Sequence, residues 1–561
     1  MVECLGEAHE RRDGRFWFFE PEVLFLTLFV VLAYFVRAGE LPLRGEEPTR
    51  AQMAFEMVSG NDFLVPRAQG QPFRIRPPLQ MWAIAASAMA LGDWSEWTIR
   101  LHAVVASLAT TLLVYGYART FLGRLGSLAA GAAFASFADW FQMGRQAETE
   151  AIFTLLLGGA LLLWHWGVVR GWPDWVFFSV GYGLMAAAML AKGMQAPVYF
   201  VGATWLHLLL TRDWKRMFSI GHGVGLAVGA GVVACWVVPY ARELGWGEVA
   251  MVWTGDPAYH VNGRVSNWKS SEFFRHLFTL PFELFAGTLP WSPLVLLVFL
   301  RGFRSAWPTG WRHVVFMWTC IGVALPSIWI PPGGLPRYFA PLFPCVAVLA
   351  GASVDWLQRA NPTGAWMVLR ALASVLMAGM GAVMALSPWL AAFPKWSGFA
   401  EPLPVAFAYA GVVFLMAAAT AFSGRISAPA GPRVGIVCMA VAMAVYFSGF
   451  VMDFRVRRSG NPTEAMRAIK AELPAGQELV SLGDQYLAPL FAYHYGLPIT
   501  TRRPWPLKAE DLPANLEYFC FESHGADSRV LPFKWKQIGV FPLDRYRLPS
   551  PVSRVVVGQR Q

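Results

Sequence analysis

The sequence predicts a polytopic α-helical membrane protein with a small external α/β domain at its C-terminus. The 561 residues are 56% hydrophobic and 15% charged, whereas a soluble chain carries about a quarter charged residues. Apolar runs of about 17 to 25 residues, the length that crosses a bilayer, recur from Trp17 to Met452. After Asp453 the composition becomes that of a soluble domain. We therefore expect a membrane domain over 1–452 and an external domain over 453–561.

About 13 apolar segments are long enough to be transmembrane helices. The segment 78–92 is not counted, because its helix would rise only about 22 Å against a hydrocarbon core of about 30 Å; we expect a juxtamembrane or re-entrant helix there. The first span follows three arginines and lacks a small-residue cleavage site, so it is interpreted as retained. The predicted spans are 17–37, 98–119, 126–143, 150–167, 174–191, 194–210, 218–239, 283–300, 312–330, 338–357, 364–388, 403–422 and 434–452.

The distribution of basic residues predicts which loops face inward. With the N-terminus in the cytoplasm, nearly every short loop assigned to the inside carries Arg or Lys, as the positive-inside rule requires. The long segments 38–97 and 240–282 and the C-terminal domain then face outward. The net charge of +10 is explained by these loops and by membrane lipids, and nucleic-acid binding is not expected because no basic run with interleaved aromatic residues occurs.

The region after Asp453 shows the pattern of an α/β domain. A helix is predicted to begin at Asn461, which is a favourable cap, with Pro462 in the first turn. Further helical stretches are predicted near 485–495 and 507–515. Strands are predicted at "QELVSLG", "PITT", "LEYFCFE" and "SRVVVG". The six cysteines have no spacing that indicates a metal site or a disulfide framework.

Two acidic clusters fall at the outer ends of predicted spans. One is Glu46 with Glu47, and the other is Glu148 with Glu150. Carboxylates at a membrane edge are costly and usually face a polar cavity, although solvated loop acids are the alternative explanation for each cluster alone. Because both clusters are assigned to one face, with basic residues nearby, we expect a shared site. Arg145 is expected to pair with Glu148 or Glu150.

The motifs around these acids resemble those of a known family. "EEPTRAQMAFEMVSGNDFLVPRAQGQPFRIRPPLQMW" is similar to the first external loop of bacterial GT-C glycosyltransferases, which include the aminoarabinose transferases of lipid A and the protein O-mannosyltransferases. "GDWSEWTIRLHAVVASL", "GRQAETEAIF", "AKGMQAP", "LPWSPL" and "LPRYFAPLFP" continue the similarity. Glu46 and Glu150 stand where the family has Asp, and Arg76 replaces a Lys.

The resemblance implies inverting transfer of a sugar from a polyprenyl-phosphate carrier. One carboxylate must take the proton of the acceptor, and cations must stabilise the departing phosphate. Which of Glu46 and Glu47 is the base stays open, and His260 is expected to be structural. The catalytic candidates are Glu46, Glu47 and Glu150, and the substrate-binding candidates are Arg76, Glu148, Lys192, Arg337, Tyr338 and Arg264.

The resemblance also bounds the partners and the location. The expected acceptor is an envelope lipid of the lipid A type or a protein, at the outer face of a bacterial inner membrane, and the chain is expected to be monomeric. No metal is expected to be obligatory, although four glutamates are the kind of ligands that Mg²⁺ or Mn²⁺ accepts. The alternatives are a transporter or flippase of lipid-linked sugars and an oligosaccharyltransferase or O-antigen ligase. The sequence lacks the internal repeats of a transporter.

Overall fold

The computed structural model describes the chain almost continuously from residue 20 to residue 459 and the C-terminal region in segments. The described ranges are 20–254 and 270–459, with gaps at 69, 75, 301, 308–309, 332–333, 361–362, 394–395 and 427–428, and then 471–474, 479–482, 502–503, 516–524, 531–543 and 553–561.

Helices dominate the described part of the chain. Several are extended or connected by irregular turns: π-helical segments at Val31–Phe35 and Val445–Phe450, and 3₁₀ segments at Leu296–Phe299, Pro336–Leu342, Ser387–Ala392, Ser397–Phe399 and Ser423–Arg425. The helices are α1 (Pro21–Val30), α2 (Glu47–Ser59), α3 (Leu79–Leu91), α4 (Glu96–Ala118), α5 (Arg124–Ser136), α6 (Trp140–Met143), α7 (Thr149–Arg170), α8 (Asp174–Lys192), α9 (Gln195–Thr211), α10 (Trp214–Met217), α11 (Ile220–Leu244), α12 (246–254), α13 (Ser270–Gly287), α14 (Ser292–Val295), α15 (Phe303–Ala306), α16 (Trp311–Trp329), α17 (Phe343–Ala360), α18 (Thr363–Leu386), α19 (Leu403–Phe422), α20 (Ala430–Ala444) and α21 (Val451–Ser459).

Eight of the described helices are long and apolar enough to cross a membrane, or nine if one sharply bent pair is counted as a span. The prediction of a polytopic helical membrane protein is therefore confirmed, whereas the predicted number of 13 spans is not. The eight helices are Glu96–Ala118, Thr149–Arg170, Asp174–Lys192, Ile220–Leu244, Pro336–Ala360, Gly364–Ala392, Leu403–Arg425 and Ala430–Arg457.

Breaks in the backbone explain part of the difference. The predicted span 126–143 is interrupted because α5 ends after 13 residues and Phe137 has extended backbone angles. The predicted span 283–300 contains a bend of 106° between Phe273–Gly287 and Ser292–Phe299; prolines in this stretch lack the N–H that would continue the helical hydrogen bonds. Leu79–Leu91 is a short apolar helix of 13 residues, which agrees with its exclusion from the predicted spans.

The segment that contains α2 and α3 packs as a small unit on the end of α4. Met53 and Met57 of α2 share one apolar cluster with Met81 and Ile84 of α3 and with Ile99 of α4. Between α2 and α3 a short antiparallel pair, β1 (Arg67–Ala68) and β2 (Gln71–Pro72), turns the chain. This packing fixes the N-terminus of α2, where the first acidic cluster lies.

A five-stranded sheet occupies the described part of the C-terminal region. Its order is β4-β3-β5-β7-β6, with β3 (Val480–Leu482) parallel to β4 (Arg502–Arg503) and β5 (Tyr518–His524), and with β7 (Ser553–Arg560) antiparallel to β5 and β6 (Trp535–Leu543). Three predicted strands coincide with β3, β5 and β7. Strand β6 was not predicted, because Gly539 and Pro542 weaken its strand pattern and it carries an irregularity between Gln537 and Gly539.

The remaining elements predicted for this region are outside the part of the chain that the structure describes. These are the strand at "PITT", the helices near 485–495 and 507–515, and all but the end of the helix predicted from Asn461. Helix α21 continues through the predicted domain boundary at residue 452, and the boundary itself stays a prediction.

Candidate active site

Glu47 belongs to a buried ion pair that ties the segment containing α2 and α3 to α4. Its side chain is fully buried, and Arg100 donates a hydrogen bond of 2.7 Å to each carboxylate oxygen. The backbone N–H groups of Arg44 and Ala147 donate two more, at 2.9 and 2.8 Å. Arg100 also donates to the carbonyl oxygens of Ala38, Leu41 and Pro42. The carboxylate of Glu47 is therefore occupied by structural contacts.

Glu46 differs from its neighbour in exposure. It precedes the first residue of α2, where the helix dipole stabilises a negative charge, and it accepts a hydrogen bond from Arg50 one turn further along. Its side chain is 46% exposed, whereas those of Glu148 and Glu150 are 11% and 5% exposed. Of the four predicted acids, Glu46 is the one that a substrate can readily reach.

Glu148 and Glu150 lie at the start of α7 and are held by two cations. Arg337 donates from Nη1 to Oε2 of Glu148 at 2.9 Å, and its Nε lies 3.8 Å from Oε1 of Glu150. Lys192, the last residue of α8, donates to the same Oε1 of Glu150 at 3.0 Å. The predicted residues from α7, α8 and the 3₁₀ segment Pro336–Leu342 thus form one ionic cluster.

Gly45 brings the two acidic clusters together. Its φ angle is +56°, which favours glycine, and a Cβ at this position would lie 2.7 Å from Oε1 of Glu148. Ala147, which donates to Glu47, immediately precedes Glu148. The clusters predicted to share one face of the membrane therefore lie side by side.

Aromatic rings enclose Lys192. Its Nζ lies 5.1 Å from the ring centroid of Tyr338 and 5.3 Å from that of Phe153, and Cζ of Arg337 lies 5.8 Å from the Tyr338 ring. Gln195 donates to the backbone oxygen of Tyr338 at 3.0 Å. Such cation–π contacts fix the positions of the two cations relative to the acids.

Two predicted substrate-binding residues remain, Arg76 and Arg264. Arg76 lies shortly before α3, and its charge acts on the carboxylate of Glu46. Arg264 and His260 fall in 255–269, outside the described residues. The described part of the chain contains no group of three or more His, Cys, Asp or Glu side chains that could hold a metal ion, so the role of a divalent cation stays a prediction.

The surroundings of Glu46 and Glu148 shift the pKa values of these two carboxyl groups in opposite directions. Arg50 above all, with Arg76 and Arg337, holds the pKa of Glu46 below its ordinary value. Burial raises the pKa of Glu148, and the neighbouring Glu150 raises it further. At neutral pH Glu46 is therefore a carboxylate, whereas Glu148 takes up a proton more readily than an ordinary glutamate.

Two arginines of the site were not predicted from the sequence, and a third was predicted with the wrong partners. Arg50 stands four residues after Glu46, the spacing of a helical ion pair, and Arg100 is a charge near the start of an apolar helix, which usually has a partner. Both signals were present in the sequence. The prediction that Arg145 pairs with Glu148 or Glu150 is wrong: its guanidinium instead bonds to neutral oxygen atoms of Phe141, Ala33 and Ser448, the last two in the π-helical segments Val31–Phe35 and Val445–Phe450.

Comparisons with known sequences support the same group of enzymes. Residues 75–239 match the family model described as dolichyl-phosphate-mannose-protein mannosyltransferase. An undecaprenyl phosphate-alpha-4-amino-4-deoxy-L-arabinose arabinosyl transferase of Edwardsiella ictaluri is 27% identical over 386 residues, which are 65% of this chain and 65% of the relative. An enzyme of the same name from Aeromonas salmonicida is 25% identical over 383 residues, 65% of this chain and 66% of the relative. The chain thus spans just under two thirds of these relatives.

The similarity of the structures extends further along the chain. The crystal structure of ArnT from Cupriavidus metallidurans bound to undecaprenyl phosphate has a TM-score of 0.66 at 16% identity, over 95% of this chain and 97% of that one. The apo state of the same protein gives a TM-score of 0.68 with the same coverage. The chain has the GT-C fold. Its resemblance to GT-C glycosyltransferases of the aminoarabinose transferase type, predicted from the motifs, is thereby confirmed.

Proposed function

We propose that this protein transfers a sugar from a polyprenyl-phosphate carrier to an envelope lipid of the lipid A type, at the outer face of the bacterial inner membrane. The relatives named above act on an undecaprenyl-phosphate pentose, which supports a pentose as the sugar. The proposal implies a cytoplasmic N-terminus and a periplasmic C-terminal domain. The relatives named above are arabinosyl transferases, so the alternatives of a transporter or an oligosaccharyltransferase are not favoured.

One observation carries the proposal: charged side chains at α2, α7, α8 and the 3₁₀ segment Pro336–Leu342, together with Arg76 before α3, converge beside a half-exposed carboxylate. Three carboxylates, those of Glu46, Glu148 and Glu150, face four cations, and the cluster therefore has an excess of positive charge when all are ionised. The cations are Arg50, Arg76, Lys192 and Arg337. Such an excess favours a bound phosphate, and protonation of Glu148 would increase it.

In this proposal Glu46 is the general base. The acceptor hydroxyl attacks the anomeric carbon from the side opposite the phosphate, its proton passes to Glu46, and the bond from the anomeric carbon to the phosphate oxygen breaks with its electron pair on the phosphate. The configuration at the anomeric carbon is thereby inverted. Because the low pKa makes Glu46 a weak base, we expect the proton to move late, after the new bond has begun to form.

The departing phosphate would be stabilised by Arg76, Lys192 and Arg337. Lys192 and Arg337 are oriented by carboxylates and by the Tyr338 ring, so they need little reorganisation when a phosphate binds. The forked guanidinium of Arg337 can donate to two phosphate oxygens at once. Glu150, whose carboxylate holds Lys192, then acts as a positioning residue for this cation.

The test is transfer of label by the purified full chain in proteoliposomes. Undecaprenyl-phosphate aminoarabinose and hexose donors, each radiolabelled, are offered with lipid A and with unfolded protein as acceptors. We expect label from the pentose donor to appear in lipid A, and E46Q to lower kcat by about 10² to 10⁴. E40Q is the matched control, because Glu40 is similarly exposed, 41%, and is paired with Arg37 outside the cluster.

Two results would contradict the proposal. If no lipid fraction gains label from any donor, the proposed function is wrong. If the wild type is active and E46Q transfers at the same rate, another group is the base.

A further inference from the structure

A cavity of about 740 Å³ lies beside the candidate active site and shares Arg337 with it. Its wall is formed by the chain that follows α1, by the residues around α6, by the start of the 3₁₀ segment Pro336–Leu342 and by the start of α21. This volume suits the headgroup of a lipid better than a single small ion. Five arginines and one acid, Asp139, line the cavity; the arginines are Arg44, Arg100, Arg145, Arg337 and Arg455, of which Arg100 and Arg337 are paired with the carboxylates of Glu47 and Glu148.

Arg145 is the most informative of these residues. Its side chain is buried, with 6% of the residue exposed. Its guanidinium donates to the carbonyl oxygens of Phe141 and Ala33, at 2.6 and 3.1 Å, and to the hydroxyl of Ser448 at 2.5 Å, and it lies over the Tyr34 ring. Within the described ranges no carboxylate comes within 4 Å of it. A buried cation that is bonded only to neutral groups is costly unless an anion compensates it.

The surroundings of Arg145 increase this cost. Burial lowers the pKa of Arg145, and repulsion from Arg455, Arg37 and Arg100 lowers it further. The cavity therefore contains a desolvated cation that other arginines repel, and a bound anion would offset both the desolvation and the repulsion of Arg145.

Irregular backbone lies next to the same cavity. The π-helical segments Val31–Phe35 and Val445–Phe450 contact each other, since Ser448 donates to the carbonyl of Ala33 at 2.7 Å. Arg37, two residues after the first segment, donates to the carbonyl of Ser448 at 3.0 Å. Phe447, in the second segment, lines the cavity. Short π-helical turns inside longer helices are frequent at functional sites, and here they place Arg145 against the cavity.

We propose that this cavity binds a phosphate monoester of a lipid headgroup, with Arg145 and Arg455 as its cationic partners. The assignment to a substrate lipid rests on the proposed function, whereas the preference for an oxyanion rests on the cavity. Two lipids of the proposed reaction carry this chemistry: the polyprenyl phosphate that is released, and an acceptor that itself bears a phosphate. Arg145 and Arg455 then select substrates by charge without touching the reacting atoms.

Equilibrium binding tests the proposal without relying on turnover. The full chain in detergent micelles is titrated with undecaprenyl phosphate, with lipid A, and with lipid A from which phosphatase has removed the phosphates. The main variant is R455Q, because Arg455 lies on α21 and bonds through Nη2 to Gln142 at 3.0 Å. The matched control is R67Q, which removes a surface arginine that pairs with Asp62 and Glu243. R145Q is a second variant, and its melting temperature is measured without ligand.

We expect R455Q to weaken binding of one phosphate-bearing lipid about tenfold or more, the loss typical of a charge-assisted contact, and R67Q to leave it within about twofold. Weaker binding of undecaprenyl phosphate by R455Q identifies the carrier as the source of the phosphate. Weaker binding of lipid A by R455Q, with unchanged binding of the dephosphorylated lipid, identifies the acceptor as the source of the phosphate. Unchanged affinity of R455Q for both lipids overturns the proposal. A wild type that binds but transfers no sugar would refute the proposed function and leave the binding result intact.

Discussion

Replacing Glu47 by Gln should destabilise the protein before it affects chemistry. The substitution removes the charge that compensates Arg100, whose side chain is only 4% exposed, and it turns an amide N–H₂ group toward donors. Breaking one partner of a buried ion pair costs about 3–5 kcal/mol. Native domains are stable by about 5–15 kcal/mol in total, so E47Q should lose a large share of its stability.

Replacing Glu46 by Gln should instead impair sugar transfer and leave the stability of the protein nearly unchanged. Because the Glu46 side chain is 46% exposed, its pair with Arg50 is screened by solvent, and we expect E46Q to change the free energy of unfolding by about 1 kcal/mol or less. The assay is thermal unfolding of detergent-purified protein, followed by tryptophan fluorescence, together with kcat for sugar transfer. E47Q should melt at a clearly lower temperature, and E46Q should melt near the wild type with little transfer.

A double variant tests whether Glu47 stabilises the protein through its ion pair with Arg100. If Glu47 acts through Arg100, E47L combined with R100M should recover part of the melting temperature lost in E47L alone, because apolar residues can replace a buried ion pair at little cost. An E47Q protein with the melting temperature of the wild type and no transfer would refute this reasoning and identify Glu47 as the base.

Three further predictions concern the ionic cluster. Burial and Glu150 raise the pKa of Glu148, so at pH values above that pKa an added negative charge should repel the donor phosphate: the donor KM should rise with pH, and E148Q should flatten this profile. K192Q should raise the donor KM about tenfold and lower the melting temperature, because Glu150 loses the nearer of its two cations; equal KM values for K192Q and the wild type would contradict the role of Lys192. G45A should lower kcat more than G92A, since both glycines have a positive φ but only a Cβ at Gly45 would meet Glu148, and equal rates in the two variants would show that the contact is unimportant.

The sequence predicted the class of fold because lipid imposes a composition that can be recognised over 20 residues. It did not predict the breaks after Ser136 and Gly287 inside two predicted spans, because these depend on contacts between distant parts of the chain, such as the hydrogen bond from the Asp139 N–H to the Gly287 carbonyl oxygen. Strand β6 was missed for a related reason: the cross-strand partners in β7 stabilise a segment whose own residues favour a turn.

The chemistry of the candidate site was easier to predict than its contacts. The assignment of acidic and basic residues to one membrane face, together with the family motifs, was enough to select Glu46, Glu148, Glu150, Lys192 and Arg337. The structure brings all five together. The partners of buried charges were not predicted, because a pairing such as Glu47 with Arg100 joins residues 53 positions apart and leaves no local pattern.

The geometry of a helix start explains why two adjacent glutamates have different roles. Successive residues of an α-helix point about 100° apart, so at the N-terminus of α2 one carboxylate faces inward and the next faces outward. The inner one, Glu47, is fixed by four hydrogen bonds to Arg100, Arg44 and Ala147, and this anchor sets the position of Glu46. Since a displacement of about 1 Å can cost a factor of about 100 in rate, variants that loosen the Glu47 anchor should also transfer slowly in the fraction that folds.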